Sequence, residues 1–137
     1  MGVAGAYGRM GRAVVAAVHA ENDMEVAGAA DIAGVGEDAG EAAGVGAIGA
    51  KIAGSQQEMI EATRPDVIVD FTTAADFGPR AIETLESGVR LVAGTTGVDQ
   101  ETIDRLSAAA AEKKLGALLA PNFAIGAVLM MQFAEKA

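Results

Sequence analysis

Three glycines spaced by three open the chain, in the segment Gly5-Ala6-Tyr7-Gly8-Arg9-Met10-Gly11, and a helix with apolar periodicity is predicted behind them. Glycines at this spacing let the backbone turn sharply and approach a ligand where a Cβ would collide. The helix that follows directs unpaired N–H groups and the positive end of its dipole at whatever lies in the turn. The segment therefore indicates a site for an anionic group such as a diphosphate. An ordinary tight strand-to-helix turn is the alternative.

An acidic residue lies at the distance that a dinucleotide site requires. Asp31 follows Gly11 by twenty residues and ends the second predicted strand. A carboxylate there can accept hydrogen bonds from ribose hydroxyls, although a solvated strand end explains it as well. Arg9 places a cation in the first helical turn, against the dipole. A bound anion would account for Arg9, and so would a simple surface position.

Three further loops follow predicted strands and carry hydroxyl, amide and glycine groups. Because the carboxyl ends of parallel strands meet at one edge of a sheet, the three loops are predicted to lie beside the glycine turn. Groups of this kind can hold phosphate, carboxylate or carboxamide, although each loop alone is also a plausible turn. The loops are Phe71-Thr72-Thr73, Gly94-Thr95-Thr96-Gly97 and Ala120-Pro121-Asn122-Phe123.

Strand and helix signals alternate along the chain. They predict an α/β fold with a doubly wound, mostly parallel, Rossmann-like sheet and helices on both faces, in one domain over residues 1–137. Met10, Val14, Ala17 and Val18 are predicted to form the buried face of the first helix. A very short first strand is predicted to end at Ala4. Four further strands are predicted over 24–31, 66–71, Arg90–Ala93 and 118–120. Further helices are predicted to end at Thr63, to cover 76–87 and 100–114, and to run from about 124 onward. Residues 33–54 are predicted to be a long loop with one short strand near 47–53.

Composition and charge exclude several classes of function. The net charge is −9 and the ten basic residues are scattered, which argues against nucleic-acid binding. The chain has no cysteine, so it can have no disulfide or thiolate chemistry. No apolar run has the length of a membrane span and no signal-peptide pattern is present, so the sequence predicts a cytoplasmic protein without membrane contact. The single histidine, His19, lies late in the first helix, away from the predicted site. We predict no metal site and no catalytic residue.

Four motifs taken together resemble one enzyme family, the dihydrodipicolinate reductases (4-hydroxy-tetrahydrodipicolinate reductases). They occur in the family's order and spacing, and the resemblance covers essentially the whole chain. It implies reduction of the unsaturated ring of a dipicolinate precursor in the diaminopimelate route to lysine, with NADH or NADPH as hydride donor. The motifs are Gly-Ala-Tyr-Gly-Arg-Met-Gly, Val-Asp-Phe-Thr-Thr, Gly-Thr-Thr-Gly and Ala-Pro-Asn-Phe-Ala-Ile-Gly.

The resemblance implies a set of residues that bind a nicotinamide dinucleotide. Residues of the opening turn would surround the diphosphate, Asp31 would meet the adenosine ribose, and the three loops would line the path to the nicotinamide. Thr96 would also reach a substrate carboxylate. The implied cofactor-binding residues are Gly5, Ala6, Tyr7, Gly8, Arg9, Met10, Asp31, Phe71, Thr72, Thr73, Gly94, Thr95, Thr96, Ala120, Pro121, Asn122 and Phe123.

The chain departs from the family's pattern at two positions near these motifs. Ala124 stands where the family usually has serine. Ile32 stands where the family often has a basic residue that reaches the 2′-phosphate of NADPH, and Asp31 would repel a phosphate. The sequence therefore favours NADH, although Arg9 could still supply a positive charge.

The family's second domain has no counterpart in these 137 residues. Its His-His-x-x-Lys stretch and its Ser-Gly-Thr loop are not found, so the resemblance implies that this polypeptide binds the cofactor and alone turns over little. A dicarboxylate substrate would require that second domain. The cofactor domain of another nicotinamide dehydrogenase and a stand-alone nucleotide-binding module remain alternatives. The final predicted helix carries more apolar residues than one buried stripe needs, which would favour association: Ile125, Val128, Leu129, Met130, Met131 and Phe133.

Overall fold

The computed structural model describes residues 1–120, 130 and 132–134, and its core is one six-stranded sheet. All five pairs of neighbouring strands are parallel, in the order β3-β2-β1-β4-β5-β6. The doubly wound α/β fold is therefore confirmed. The strands are β1 (Gly2–Ala4), β2 (Gly28–Ala30), β3 (Ile52–Ala53), β4 (Val67–Asp70), β5 (Arg90–Ala93) and β6 (Ala117–Leu119).

Helices connect the strands and cover both faces of the sheet. Val3 belongs to one buried cluster with Val15 of the first helix, whereas the next residue, Ala4, belongs to a second cluster with Phe77 and Leu106. Successive strand residues point to opposite faces, so the two clusters are the two layers of the core. The helices are α1 (Arg9–Ala20), α2 (Ala39–Ala43), α3 (Gln56–Thr63), α4 (Phe77–Glu86, after a 3₁₀ turn at Ala74–Asp76) and α5 (Gln100–Lys113).

The strand order reverses direction at β1. The chain moves outward from β1 to β2 and β3, then returns to pair β4 with the other side of β1 and continues outward to β6. The loops after β1 and β4 therefore diverge to opposite sides of the sheet and leave a crevice at its carboxyl edge. In open α/β sheets this position is where ligands bind.

The predicted buried face of α1 is partly wrong. Val18 is buried as predicted and Val14 packs against the core, but Met10 is 50% exposed and Ala17 is exposed. The buried residues of α1 are Gly11, Val15 and Val18. Close packing of Gly11 against the preceding turn sets the rotation of this helix, and the apolar spacing alone does not reveal that contact.

The predicted long loop over 33–54 is also partly wrong, because it contains α2. Five residues are too few to show helical periodicity, and the surrounding glycines hide the element. The short strand predicted within this segment is β3. The strand predicted over 24–31 is shorter, since β2 covers only Gly28–Ala30.

Helices α4 and α5 lie where the ranges 76–87 and 100–114 predict them, within one residue at each end. Asp99 caps α5, where its side chain accepts a hydrogen bond from the Thr102 backbone N at 2.7 Å. Gly88 follows α4 with a positive φ of 81°, as expected of a helix-ending glycine. The helix predicted from about 124 falls mainly outside the described residues. Met130 and 132–134 are helical there, and Met130 and Phe133 are 70% and 68% exposed.

Asp38 holds the α2 segment together through its carboxylate. Its Oδ1 accepts hydrogen bonds from the backbone N of Gly40, Glu41 and Ile48, and its Oδ2 accepts one from Gly49. These bonds, that from Ile48 foremost, lower the pKa of Asp38 below its ordinary value of 3.8. The carboxylate therefore stabilises the fold above that ordinary pKa, and the contribution is lost as pH falls through the lowered pKa.

We expect Asp38→Asn to destabilise the protein at neutral pH and to matter much less in acid. An amide cannot accept at both of its terminal atoms, so hydrogen bonds from the backbone are lost. Urea unfolding of both proteins at about pH 7 and about pH 3 measures the difference. The matched control is Asp23→Asn at an exposed position, for which no comparable difference is expected. A destabilisation by Asp38→Asn that is equal at both pH values would contradict this assignment.

Candidate functional site

The glycine turn joins β1 to α1 at the carboxyl edge of the sheet. Gly5 has a positive φ of 76°, and the backbone N of Gly5 and of Ala6 donate to the Ala30 carbonyl at 2.9 and 3.2 Å. A Cβ on Gly11 would overlap the Gly5 carbonyl oxygen and lie 2.7 Å from the Ala6 Cα. Among the described residues no side chain caps α1 at Gly8. The N-terminal N–H groups of α1 are thus directed at the space that an anion would fill.

Asp31 connects the end of β2 to this turn. Its Oδ2 accepts a hydrogen bond from the Tyr7 backbone N at 2.9 Å, and its Oδ1 accepts one from the Ala33 backbone N at 3.0 Å. A carboxylate has about four lone-pair sites, so each oxygen can still accept from a further donor. The sequence predicted Asp31 as a ribose-binding residue but did not predict its bond to the turn.

The Tyr7 ring packs away from the cavity, between α1 and the loop after β2. A Cβ on Gly34, which has a positive φ of 66°, would overlap this ring. The Arg12 guanidinium carbon lies 4.4 Å from the ring centroid, which is a cation–π contact. Tyr7 therefore offers the site its backbone rather than its ring. Arg9 and Met10 are both exposed at the start of α1.

The loop after β4 is held at every polar group of Thr72. The fully buried Asp70 accepts at Oδ1 from the Thr72 backbone N and Oγ1, at 2.7 and 2.6 Å. Arg80 Nη2 in turn donates to Thr72 Oγ1 at 2.6 Å, and Thr95 Oγ1 donates to the Thr72 carbonyl at 3.2 Å. Neither Asp70 nor Arg80 was predicted as a site residue. The sequence signal that could have identified Asp70 is an acid at the end of an apolar strand, two residues before a threonine, because such a carboxylate can accept a hydrogen bond from the backbone N two residues on.

The loop after β5 packs against the loop after β4 through Phe71. A Cβ on Gly94 would overlap the Phe71 ring and lie 2.6 Å from its Cδ1. Thr95 is only 4% exposed and donates its hydroxyl to the neighbouring loop, whereas Thr96 is exposed at the edge. The two threonines therefore differ in exposure and in bonding, although the sequence analysis places both near the nicotinamide.

The loop after β6 begins at the same edge. The Ala120 backbone N donates to the Ala93 carbonyl at 2.9 Å, which continues the pairing of β6 with β5. Pro121, Asn122 and Phe123 lie outside the described residues. Their predicted place beside the other loops stays a prediction.

A cavity of about 440 Å³ occupies the crevice between the glycine turn and the loop after β4. Predicted cofactor-binding residues from the loops after β1, β2 and β4 line this cavity. Arg80, Glu83 and the start of α3 also line it, although the sequence did not predict them as site residues. Gly94, Thr95 and Thr96 do not line it. Its lining residues are Ala4, Gly5, Gly8, Ala30, Asp31, Ile32, Gly54, Ser55, Gln56, Gln57, Phe71, Thr72, Thr73, Arg80 and Glu83.

The described residues were also compared with what a second ligand site, a metal site or a membrane span would require. A larger cavity of about 570 Å³ opens around Arg64 and Asp66, at the amino edge of the sheet and so at the edge opposite to the glycine turn. In the part of the chain that the structure describes, no three His, Cys, Asp or Glu side chains are grouped so that they could hold a metal ion. None of the helices described there has the length and apolarity to cross a membrane.

The strand order, the glycine turn after β1 and the carboxylate after β2 define a Rossmann-like domain. The model of the family described as "Dihydrodipicolinate reductase, N-terminus" matches residues 1–123. The chain therefore belongs to the dihydrodipicolinate reductase family, and the resemblance seen in its motifs is confirmed.

Similar proteins agree with this assignment. The 4-hydroxy-tetrahydrodipicolinate reductase of Listeria monocytogenes serotype 4b (strain F2365) is 44% identical over 135 residues, which are 98% of this chain and 51% of the relative. That of Desulfitobacterium hafniense (strain Y51) is 41% identical over 136 residues, with the same shares covered. The chain thus spans about half the length of the curated relatives it matches.

Solved structures show the same fold. The dipicolinate-bound dihydrodipicolinate reductase from Paenisporosarcina sp. TG-14 is similar with a TM-score of 0.80 and 34% identity, over 97% of this chain and 51% of that one. GenD2 from gentamicin A biosynthesis, solved in complex with NAD, is similar with a TM-score of 0.73 and 21% identity, over 89% of this chain and 34% of that one. At that identity the second similarity concerns the fold alone.

Proposed function

We propose that this chain is the cofactor-binding half of a 4-hydroxy-tetrahydrodipicolinate reductase and binds NADH with its adenosine and diphosphate parts in the 440 Å³ cavity. The observation that carries the proposal is that the glycine turn and Asp31 line one cavity and are hydrogen-bonded to each other. In a member of this family, the pair supplies the two contacts that a dinucleotide needs, one at the diphosphate and one at the ribose.

Each part of the dinucleotide would contact a different element. The diphosphate would lie on the turn and the N-terminus of α1, where backbone N–H groups and the dipole favour negative charge. Asp31 would accept from the adenosine ribose hydroxyls. The nicotinamide would lie further along the edge, near Gly94, Thr96 and the residues after Ala120. When bound, the dihydronicotinamide supplies the hydride for the ring that is reduced.

The groups that bind the substrate and donate a proton would come from the part of the relatives that this chain does not cover. Reduction of a dicarboxylate ring needs cations for the carboxylates and a general acid. Of the groups described here, the exposed Thr96 is the one that we assign to a substrate carboxylate. We place the protein in the cytoplasm, in keeping with its lack of cysteine, and its exposed Met130 and Phe133 would favour association.

The charges around the cavity favour NADH over NADPH. A 2′-phosphate adds between one and two negative charges at the ribose, beside the Asp31 carboxylate and on the same cavity as Glu83. Ile32, next to Asp31, is 94% exposed and brings no positive charge. Arg80 is the one cation that lines the cavity among the described residues, and it is bonded to Thr72.

Titration calorimetry of the 137-residue chain with NADH and NADPH tests the proposal. We expect one molecule bound per chain, with NADH bound at least about tenfold more tightly, which corresponds to about 1.4 kcal/mol. A chain that binds neither dinucleotide would overturn the proposal, and equal affinities would overturn only the preference. A reductase assay of this chain, alone and with the half of a relative that this chain does not cover, distinguishes a reductase half from a stand-alone nucleotide-binding module.

A further inference from the structure

We propose that Arg80 is a specificity-determining residue for the adenosine end of the bound dinucleotide, and that it acts through the flat face of its guanidinium rather than through its charge. The inference rests on the proposed function and extends it to a residue that the motifs do not contain.

Hydrogen bonds from behind hold Arg80 in the wall of the cavity. Its Nη2 donates to Thr72 Oγ1 at 2.6 Å, and that hydroxyl donates to Asp70 Oδ1 at 2.6 Å. Asp70 is completely buried, so the series ends on a fixed group. On the backbone, the Arg80 carbonyl accepts from Gln56 Nε2 at 3.1 Å. A half-buried guanidinium held in this way loses little further freedom when a ligand packs on it.

The cavity places an adenine base against Arg80. Asp31, proposed to hold the ribose, and Ile32 line one side of the cavity, and Thr72 and Arg80 line the other. A base attached to a ribose at Asp31 must extend into the space between these two sides. The nearly fully exposed Ile32 offers an apolar surface to one face of the base. The guanidinium of Arg80 offers a flat surface to the other.

The surrounding charges indicate that the planar shape of the Arg80 guanidinium contributes more to binding than its positive charge. Asp70 lies behind Arg80, bridged by Thr72, and Glu83 lines the same cavity. These carboxylates, with Asp31 opposite, offset the positive charge of Arg80, so the 2′-phosphate of NADPH would gain little from it. Adenine is neutral and aromatic, and guanidinium planes stack favourably on aromatic faces.

The test compares Arg80→Ala and Arg80→Lys in the 137-residue chain, by calorimetry with NADH, ADP and reduced nicotinamide mononucleotide. We expect Arg80→Ala to lower the affinities for NADH and ADP by a similar factor of about tenfold, which is the scale of one stacking contact between a base and a side chain. Arg80→Lys keeps the charge but not the plane, so it should weaken both almost as much. The mononucleotide lacks the adenosine, and its affinity should stay the same. Arg105→Ala, at an exposed position of α5, is the matched control and should leave all three affinities unchanged.

Several results would overturn the inference while the proposed function stands. These are unchanged NADH binding by Arg80→Ala, full recovery by Arg80→Lys, or an equal loss for the mononucleotide. If the Arg80 variants fail to fold, Thr72→Val removes the hydroxyl that holds the guanidinium and should weaken ADP severalfold. Unchanged ADP binding by Thr72→Val would then count against the inference. Wild-type protein that binds no NADH would overturn the proposed function and, with it, the inference.

Discussion

Gly11→Ala is expected to lower the free energy of unfolding by about 3 kcal/mol, or to prevent folding. The added methyl group would overlap the Gly5 carbonyl oxygen and lie 2.7 Å from both the Gly5 carbonyl carbon and the Ala6 Cα. These are backbone atoms of the turn, so no side chain can move aside to relieve the contact. Alanine gains about 1 kcal/mol over glycine in helix propensity, which is too little to offset such an overlap.

Urea unfolding measures this effect, and Gly116→Ala supplies the matched control. Among the described residues, and apart from its own chain neighbours, no heavy atom lies within 4 Å of the Cβ position at Gly116, and its φ is not positive. The control should therefore stay within about 0.5 kcal/mol of the wild type. If both variants lose the same free energy, close packing of α1 on the turn does not hold the two together. A Gly11→Ala protein that folds is also expected to bind NADH poorly, because the turn or the helix must move.

The same contact explains where prediction from the sequence succeeded and where it failed in α1. The glycine spacing predicted a close turn before a helix, and the structure has one. The buried face of α1 was predicted from apolar spacing alone, which wrongly placed Met10 in the core, although Met10 is 50% exposed. The approach of Gly11 to Gly5 turns the helix so that Val15 is buried together with the predicted Val18, whereas Met10 is exposed. Apolar periodicity carries no term for such a backbone contact.

The edge at which the site lies was predictable because it depends only on topology. Alternating strands and helices imply parallel strands, and parallel strands end at one edge. The cavity there contains Gly5, Asp31 and Thr72, as their positions after predicted strands imply.

The hydrogen bonds that hold the site were not predictable. Tyr7 and Asp31 are 24 residues apart, and Thr72 reaches Arg80 across a loop and into a helix. Such pairs depend on the exact path of each loop, for which the sequence has no local pattern. Asp70 and Arg80 were therefore missed, although they hold the loop that Phe71 and Thr72 form.

Two carboxylates, at the ends of the strands on either side of β1, have different tasks in this arrangement. Asp70 is completely buried and its Oδ1 is occupied by Thr72, so it positions a loop. Asp31 lines the cavity and joins the turn to β2, so it can meet a ligand directly. Both loops are held before a ligand arrives, which lowers the entropy that binding must lose.

Asp31→Ala is expected to weaken NADH binding by about 30- to 100-fold, or about 2–3 kcal/mol. Two losses add up in this variant. The ribose hydroxyls lose a charged acceptor, and the backbone N–H groups of Tyr7 and Ala33 lose the carboxylate that they share. The second loss loosens the turn on which the diphosphate would lie, so the effect should exceed that of one missing ligand contact.

Asp31→Asn and the use of both dinucleotides separate these contributions. The amide keeps one acceptor oxygen, so either Tyr7 or Ala33 keeps its partner and NADH affinity should fall between wild type and Asp31→Ala. Removing the negative charge should also shrink the preference for NADH, because NADPH no longer meets a carboxylate beside its 2′-phosphate. Asp66→Ala, an exposed acid at the opposite edge, is the matched control and should change neither affinity. NADH affinity that is unchanged in Asp31→Ala would show that the ribose lies elsewhere. A preference that is unchanged in Asp31→Asn would show that this carboxylate does not select the cofactor.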